Sequence, residues 1–254
     1  MIFKHREVPQ TSDLRDVYKI EYKNRTKAPI QFSVSEDSVL ITAYIAPAKS
    51  LLKPYIGRGK GRKPEDFTFA DEAFRGIMRN WSGDFDLKCH KGGPVRLSID
   101  IIRKDDPNAV YPKGQRFLKI RRTKLTKTSF VMSPPWRWLW GMPRTGLMLE
   151  SFGLNWSVYS PGTINLNLTR SVNRYGQVAA HEFGHALGLG DAYGAFYRFG
   201  YEVPGTEEYM MNNNHRVQPV ELEMALTAHM TGRMQYFPRR GPKKAGAKDR
   251  DART

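Results

Sequence analysis

The sequence predicts an α+β fold, and three observations carry that reading. Several short stretches alternate apolar and polar residues with the period of two that a half-buried strand requires. Other stretches repeat apolar residues with a helical period. Strand and helix patterns interleave along the chain, and no internal repeat divides it into copies.

The elements follow in order. Residues 1–52 read as strand-rich: Val17–Tyr22 and Ile30–Val34 alternate, and Ser38–Ile45 is a more continuous apolar run. Pro54–Pro64 reads as an exposed loop in which glycines free the backbone and like charges oppose collapse, and a soft boundary falls there. Asp71–Ser82 reads as a helix, with Ala73, Phe74, Ile77, Met78 and Trp81 on one broad apolar face and Thr68 or Asp71 as its cap. Val95–Ile102 alternates as a strand, and Arg116–Ile120 and Ser129–Met132 do so more weakly. Ser133–Thr145 holds three prolines with Trp136, Trp138 and Trp140 and reads as a loop. Gly146–Glu150 and Thr163–Leu168 read as strands. The second sets Ile164, Leu166 and Leu168 on one face against Asn165 and Asn167 on the other. A helix then covers about Tyr175–Leu187 and ends at Gly188 and Gly190, because glycine accepts the left-handed backbone of a helix end. Irregular chain leads to about Gln218, and Pro219 opens a last helix with Val220, Leu222, Met224, Leu226 and Met230 on its apolar side.

Composition bounds the function. A chain of 254 residues fits one large domain or two small ones, and 40% hydrophobic with 12% aromatic residues is too much for a disordered chain. A single cysteine excludes an internal disulfide framework and a four-cysteine zinc module. No stretch approaches the ~18 apolar residues of a membrane span. The first residues lack an apolar signal core, which fits cytoplasmic residence or delivery by a signal-independent route. Lys+Arg number 41 against 25 Asp+Glu, a net charge of +16. The basic residues cluster at Lys53–Lys63, Arg116–Lys127 and in the tail from Arg239. Such charge attracts acidic partners or anionic surfaces, yet no dedicated nucleic-acid module is legible.

The chemistry lies in Ala180-His181-Glu182-Phe183-Gly184-His185-Ala186-Leu187-Gly188-Leu189-Gly190-Asp191-Ala192-Tyr193. His181 and His185 are four residues apart, one helical turn, so both imidazoles leave one face. Two imidazoles so placed can each reach one zinc ion. Glu182 sits beside that site without having to bind it, where it can take a proton from water as the water attacks a carbonyl. Simple frequency multiplication puts the chance count of His-Glu-x-x-His here at roughly 0.01. The motif lies on an apolar helix, a glycine stands where the chain must turn, and an oxygen ligand, Asp191, follows that turn.

With Asp191 as its third donor, the pattern HExxHxxGxxD resembles the metzincin zinc metallopeptidases. The aspartate in place of their usual histidine, with Gly188-Leu189-Gly190-Asp191-Ala192-Tyr193, looks like the snapalysin-type small neutral proteases. The same motif appears in metallopeptidase domains of bacterial polymorphic toxins and effectors. The resemblance implies a twisted mixed sheet, an active-site helix, a methionine turn and a C-terminal helix, preceded here by a β-rich N-terminal segment. It implies Zn2+ held by His181, His185 and Asp191, and Glu182 as catalytic base. It also implies a turn methionine within Tyr209-Met210-Met211-Asn212-Asn213, with Met211 favoured over Met210. Its strong part covers Thr163–Met230. The division expected is 1–64 as the β-rich segment, 65–237 as the protease domain and 238–254 as a basic disordered tail.

Rival assignments stay open on the residues. A later glutamate, Glu202, Glu207 or Glu208, competes with Asp191 as third ligand. Tyr193 is the leading candidate to supply a catalytic hydroxyl to the oxyanion, with Tyr209 as an alternative; packing is the ordinary role of both. His215 and Cys89 are further potential ligands whose ordinary readings are a surface histidine and a buried thiol. An edge strand, for which Gly146–Glu150 is the candidate, is expected to hold a peptide substrate by main-chain bonds. The function expected is a zinc-dependent endopeptidase, in a narrower form a bacterial effector or toxin protease. The alternative is a zinc-stabilised basic binding module for nucleic acid or anionic partners, without proteolysis.

Overall fold

The computed structural model describes residues 10–20, 25–55, 67–123, 128–134, 155–167, 171–193 and 203–237. Asp13 opens the chain's first element by accepting the Arg15 N–H, and the helical turn α1 (Leu14–Val17) follows. The expected strand from Val17 is therefore absent as far as Ile20, and its last two residues lie outside the described ones. A side chain that satisfies the first free N–H groups of a turn tips such a short stretch toward helix. Tyr18 and Ile20 are buried instead by packing on the core.

The strands are β1 (Ile30–Val34), β2 (Ser38–Pro47), β3 (Gly83–Phe85), β4 (Val95–Arg103), β5 (Leu118–Thr123), β6 (Phe130–Met132) and β7 (Thr163–Asn167); all but β3, which the sequence reading lacks, lie near the stretches read as strands. They form one mixed sheet in the order β3-β4-β2-β5-β7-β6, with β1 also pairing β2. β2 runs parallel to β4 and β5, and β5 parallel to β7; β1, β3 and β6 join antiparallel to β2, β4 and β7. The fold is thus α+β with a mixed sheet. The N-terminal strand β2 lies between β4 and β5, so residue 64 marks no boundary in the sheet. The expected loop also begins inside the core: Tyr55 is fully buried and its ring stacks on Phe67. Residues 56–66 and the tail 238–254 lie outside the described residues, as do Trp136, Trp138, Trp140 and the candidate strand Gly146–Glu150.

Register sorts the two faces of the sheet. Val39, Leu97, Ile45, Leu118, Ile120 and Ile164 share one face and are buried. Leu40, Arg96, Lys119 and Arg121 share the other and are exposed. On the buried face lie α2 (Phe69–Trp81) and α3 (Val172–Ala186). Thr68 caps α2 in a reciprocal box with Asp71, whose carboxylate also pairs with Arg103 of β4. The two helices meet at Gly76 and Gly176, so closely that a Cβ on Gly76 would lie 2.2 Å from the Gly176 Cα. This approach turns the buried side of α2 onto Ala73, Gly76 and Ile77, and leaves Met78 exposed, contrary to the expected apolar face.

β7 departs from its sequence reading as well. Asn165 is 1% exposed although it shares the outer face with Arg121, because its amide is enclosed by hydrogen bonds to Arg121 and to the carbonyls of Phe130 and Thr163. β7 leads into α3 as expected. The remaining elements are the turn α4 (Met210–Asn213) and the helix α5 (Pro219–Thr231). α5 buries Glu221, Leu222, Ala225, Leu226, Ala228 and His229 in place of the purely apolar side expected of it. No helix among the described residues is long and apolar enough to cross a membrane.

Candidate metal centre

α3 places His181 and His185 one turn apart, with ring centroids 5.0 Å apart and planes nearly perpendicular. Two backbone carbonyls fix their orientation. His181 Nδ1 lies 2.7 Å from the Met210 carbonyl oxygen and His185 Nδ1 lies 2.9 Å from that of Leu189. A carbonyl can only accept, so each Nδ1 carries a proton and each Nε2 is the atom turned toward Asp191. An Nδ1 proton held by such an outer partner is common among metal-ligating histidines.

The chain after α3 brings the third donor back. Gly188, at φ +93°, turns the chain where a Cβ would strike Trp156 and Ala228. The next residues are pinned to the C-terminal segment, Gly190 N–H to Gln235 O at 2.8 Å and Gln235 N–H to Gly188 O at 2.8 Å. Ala192 N–H donates to Met211 O at 2.9 Å. Asp191 is thereby fixed on both sides, and its Oδ1 sits 3.2 Å from His181 Nε2 and 3.3 Å from His185 Nε2. The ligand atoms of His181, His185 and Asp191 lie within 4.8 Å of one another, and among the described residues no other such group forms.

Electrostatics follow from this crowding. Burial opposes charge on His185, but the Asp191 carboxylate outweighs it and lifts the imidazole to about 9. Burial also opposes ionisation of Asp191, and the two imidazoles outweigh it and hold the carboxyl well below the usual range. Burial pushes Glu182 up, against the pull of His185 and His181. Glu182 is 4% exposed, and its Oε2 has no hydrogen-bond partner. A buried carboxylate oxygen normally has one, so this orphan beside the histidines fits a group that works on something bound there.

The segment Met210–Met211 packs against the helix that carries the two histidines. A Cβ on Gly184 would lie 2.3 Å from Met211 Sδ, so Gly184 is what lets Met211 seat against α3 between the two histidines. Met210 contributes its carbonyl to His181. Glu221, fully buried on α5, holds both: its carboxylate accepts from Met211 N–H at 2.8 Å, Met210 N–H at 3.3 Å and Gln218 N–H at 2.7 Å. Burial pushes Glu221 up to about 7 against those three donors. Sequence reasoning missed Glu221. Its only signal was an acid two residues after Pro219, which reads equally as an exposed helix-start residue.

The other candidates fall outside the cluster. Glu207, Glu208 and His215 are exposed, and Glu202 lies outside the described residues. Cys89 is buried, with Sγ 3.6 Å from the Tyr18 hydroxyl. Tyr209 starts the turn with its ring near Phe237. Tyr193 is half-buried two residues beyond Asp191. Comparison with family models, curated proteins and solved structures finds no match to this chain.

Proposed function

We propose that this chain is a zinc-dependent endopeptidase of metzincin-like build. The observation that carries the reading is the convergence of His181 Nε2, His185 Nε2 and Asp191 Oδ1, with each imidazole held at Nδ1 by a backbone carbonyl. Two neutral nitrogens and one carboxylate oxygen suit zinc. Zinc bound there supplies Lewis acidity, which polarises a peptide carbonyl and brings the pKa of water near ~7.

The residues of the chain divide the remaining work. His181, His185 and Asp191 are the ligands. Glu182 stands beside them on the same helix with an unpaired oxygen, accepts the proton of the attacking water and returns it to the leaving amine. Its burial raises its proton affinity, which helps a carboxylate act as a base near neutral pH. Tyr193 is assigned to the developing oxyanion on the strength of its place in the motif. The order β7, α3, turn with Met211, α5 supports the metzincin-like reading, as does α2 followed by β4. β6 is the strand beside β7 at the end of the described sheet, so its outer side is the place for a peptide to add as a further strand. A purely structural metal site has no need of a base, and Glu182 therefore favours the peptidase over a zinc-stabilised binding module.

The test pairs metal analysis with hydrolysis. Purified protein should carry one zinc per chain and cleave quenched fluorescent peptides, with activity lost to a chelator and restored by zinc. A folded protein that takes up no zinc would overturn the assignment.

A further inference from the structure

A groove of about 420 Å³ lies on the solvent face of the sheet, opposite the face on which α3 packs. Its floor is a cross-strand row: Ala46 of β2 faces Lys119 of β5, Lys119 faces Thr163 of β7, and Thr163 faces Met132 of β6. Small residues at Ala46, Ala48 and Thr163 leave the space, and the row spans four strands, roughly 14 Å. Lys119 and Arg121, two residues apart on one strand, are the only charged residues among the described residues that line it.

Arg121 is braced. Its Nε donates to Asn165 Oδ1 at 2.5 Å, while Asn165 Nδ2 donates to the carbonyls of Thr163 at 2.8 Å and Phe130 at 3.2 Å. A buried amide in the middle of a strand is unfavourable unless bonded, and this one spends its oxygen on the arginine. The terminal nitrogens of the guanidinium meet no acid among the described lining residues. A pre-oriented planar fork with a neighbouring ammonium matches a carboxylate. The apolar walls of Met132 and Pro134 match the stem of a side chain rather than a bare inorganic ion, and the groove reaches the edge strand β6.

We propose that this groove is an exosite that binds an acidic side chain, Asp or Glu, of a peptide. That the peptide is a substrate rests on the peptidase reading; the binding does not. The experiment uses the full chain carrying Glu182→Gln, so that nothing is cleaved. The probes are a labelled octapeptide of alternating Glu and Ala and its counterpart with Gln for Glu. At low salt the Glu peptide should bind about tenfold or more tightly than the Gln peptide. Arg121→Gln, on an exposed side chain, should abolish that difference with an unchanged circular dichroism spectrum, and Arg121→Lys should restore only part of it. Equal binding of the two peptides, or indifference to Arg121→Gln, would overturn the proposal. So would an Arg121→Gln effect seen only with a short single-stranded oligonucleotide, which would make the groove a phosphate site. If the Glu peptide binds as expected while the wild-type chain cleaves nothing, the peptidase reading fails and the exosite stands.

Discussion

The Nδ1 of His181 donates to the carbonyl of Met210, and the N–H of Met210 donates to the carboxylate of Glu221, so a helix outside the His181–His185–Asp191 cluster braces one that carries two of its members. Glu221→Gln replaces an oxygen that accepts N–H with an amide that donates. One of the three bonds to Met210, Met211 and Gln218 must then break. Zinc affinity, measured by chelator competition, should fall about 10–100-fold. Unchanged affinity in a folded variant would show that the turn does not orient His181.

Asp191→Ala removes the only carboxylate of the triad. The variant should fold but lose most of its zinc, and its hydrolysis with it, when dialysed against the same metal concentration as the wild type. Glu207→Ala and Glu208→Ala, on exposed side chains, should keep both. A wild-type zinc content in Asp191→Ala would return the third ligand to another residue.

The crossing of α2 and α3 gives a prediction of sign. An alanine in a helix is ordinarily more stable than a glycine by about 1 kcal/mol. At Gly76 the added Cβ would lie 2.2 Å from the Gly176 Cα, with only backbone to push against. Gly76→Ala should therefore destabilise by about 3 kcal/mol in denaturant unfolding. Gly176→Ala, whose Cβ would meet Gly76 at 3.0 Å, should cost less. A stabilised Gly76→Ala would mean that the helices do not touch there.

His229 sets a pH dependence. It is buried between Phe32 and Trp156, and burial, with Arg25 nearby, lowers its pKa to about 3. The unfolded chain binds its proton near pH 6.5 and the folded chain only near 3, so its effect is loss of stability as pH falls through that window. Glu221 works in the opposite sense, because its folded value of about 7 lies above the ordinary 4.5. Comparison with His229→Phe isolates the histidine. The stability of the wild type relative to that variant should fall by up to about 1.4 kcal/mol per pH unit below 6.5. A difference that stays constant with pH would show that His229 is not buried uncharged.

Much of the His181–His185–Asp191 cluster was legible because its members are close in sequence. Helical period alone puts His181 and His185 on one face, and Gly188 announces the turn that returns Asp191. The strands from Ile30 and Val95 were legible because one covered face leaves an alternating pattern, and the strand from Ser38 because its apolar residues run almost continuously. What failed depends on contacts between distant segments. Nothing near Tyr55 in sequence says that Phe67, Phe69 and Tyr175 will enclose it. Glu221 and Asn165 read as surface residues, and no sequence pattern marks His229 as buried, because their partners, or the groups that bury them, lie elsewhere in the chain. The place of β2 in mid-sheet is likewise a matter of pairing order, which strand patterns do not encode.

The central claim is tested most directly by the rate of peptide hydrolysis of zinc-loaded Glu182→Gln against zinc-loaded wild type, at equal zinc content. The amide keeps the shape of the side chain and leaves all three ligands in place, but it cannot take the proton of the attacking water. The account predicts that the variant retains zinc and loses hydrolysis by a factor of at least ~100. Hydrolysis at the wild-type rate would contradict it.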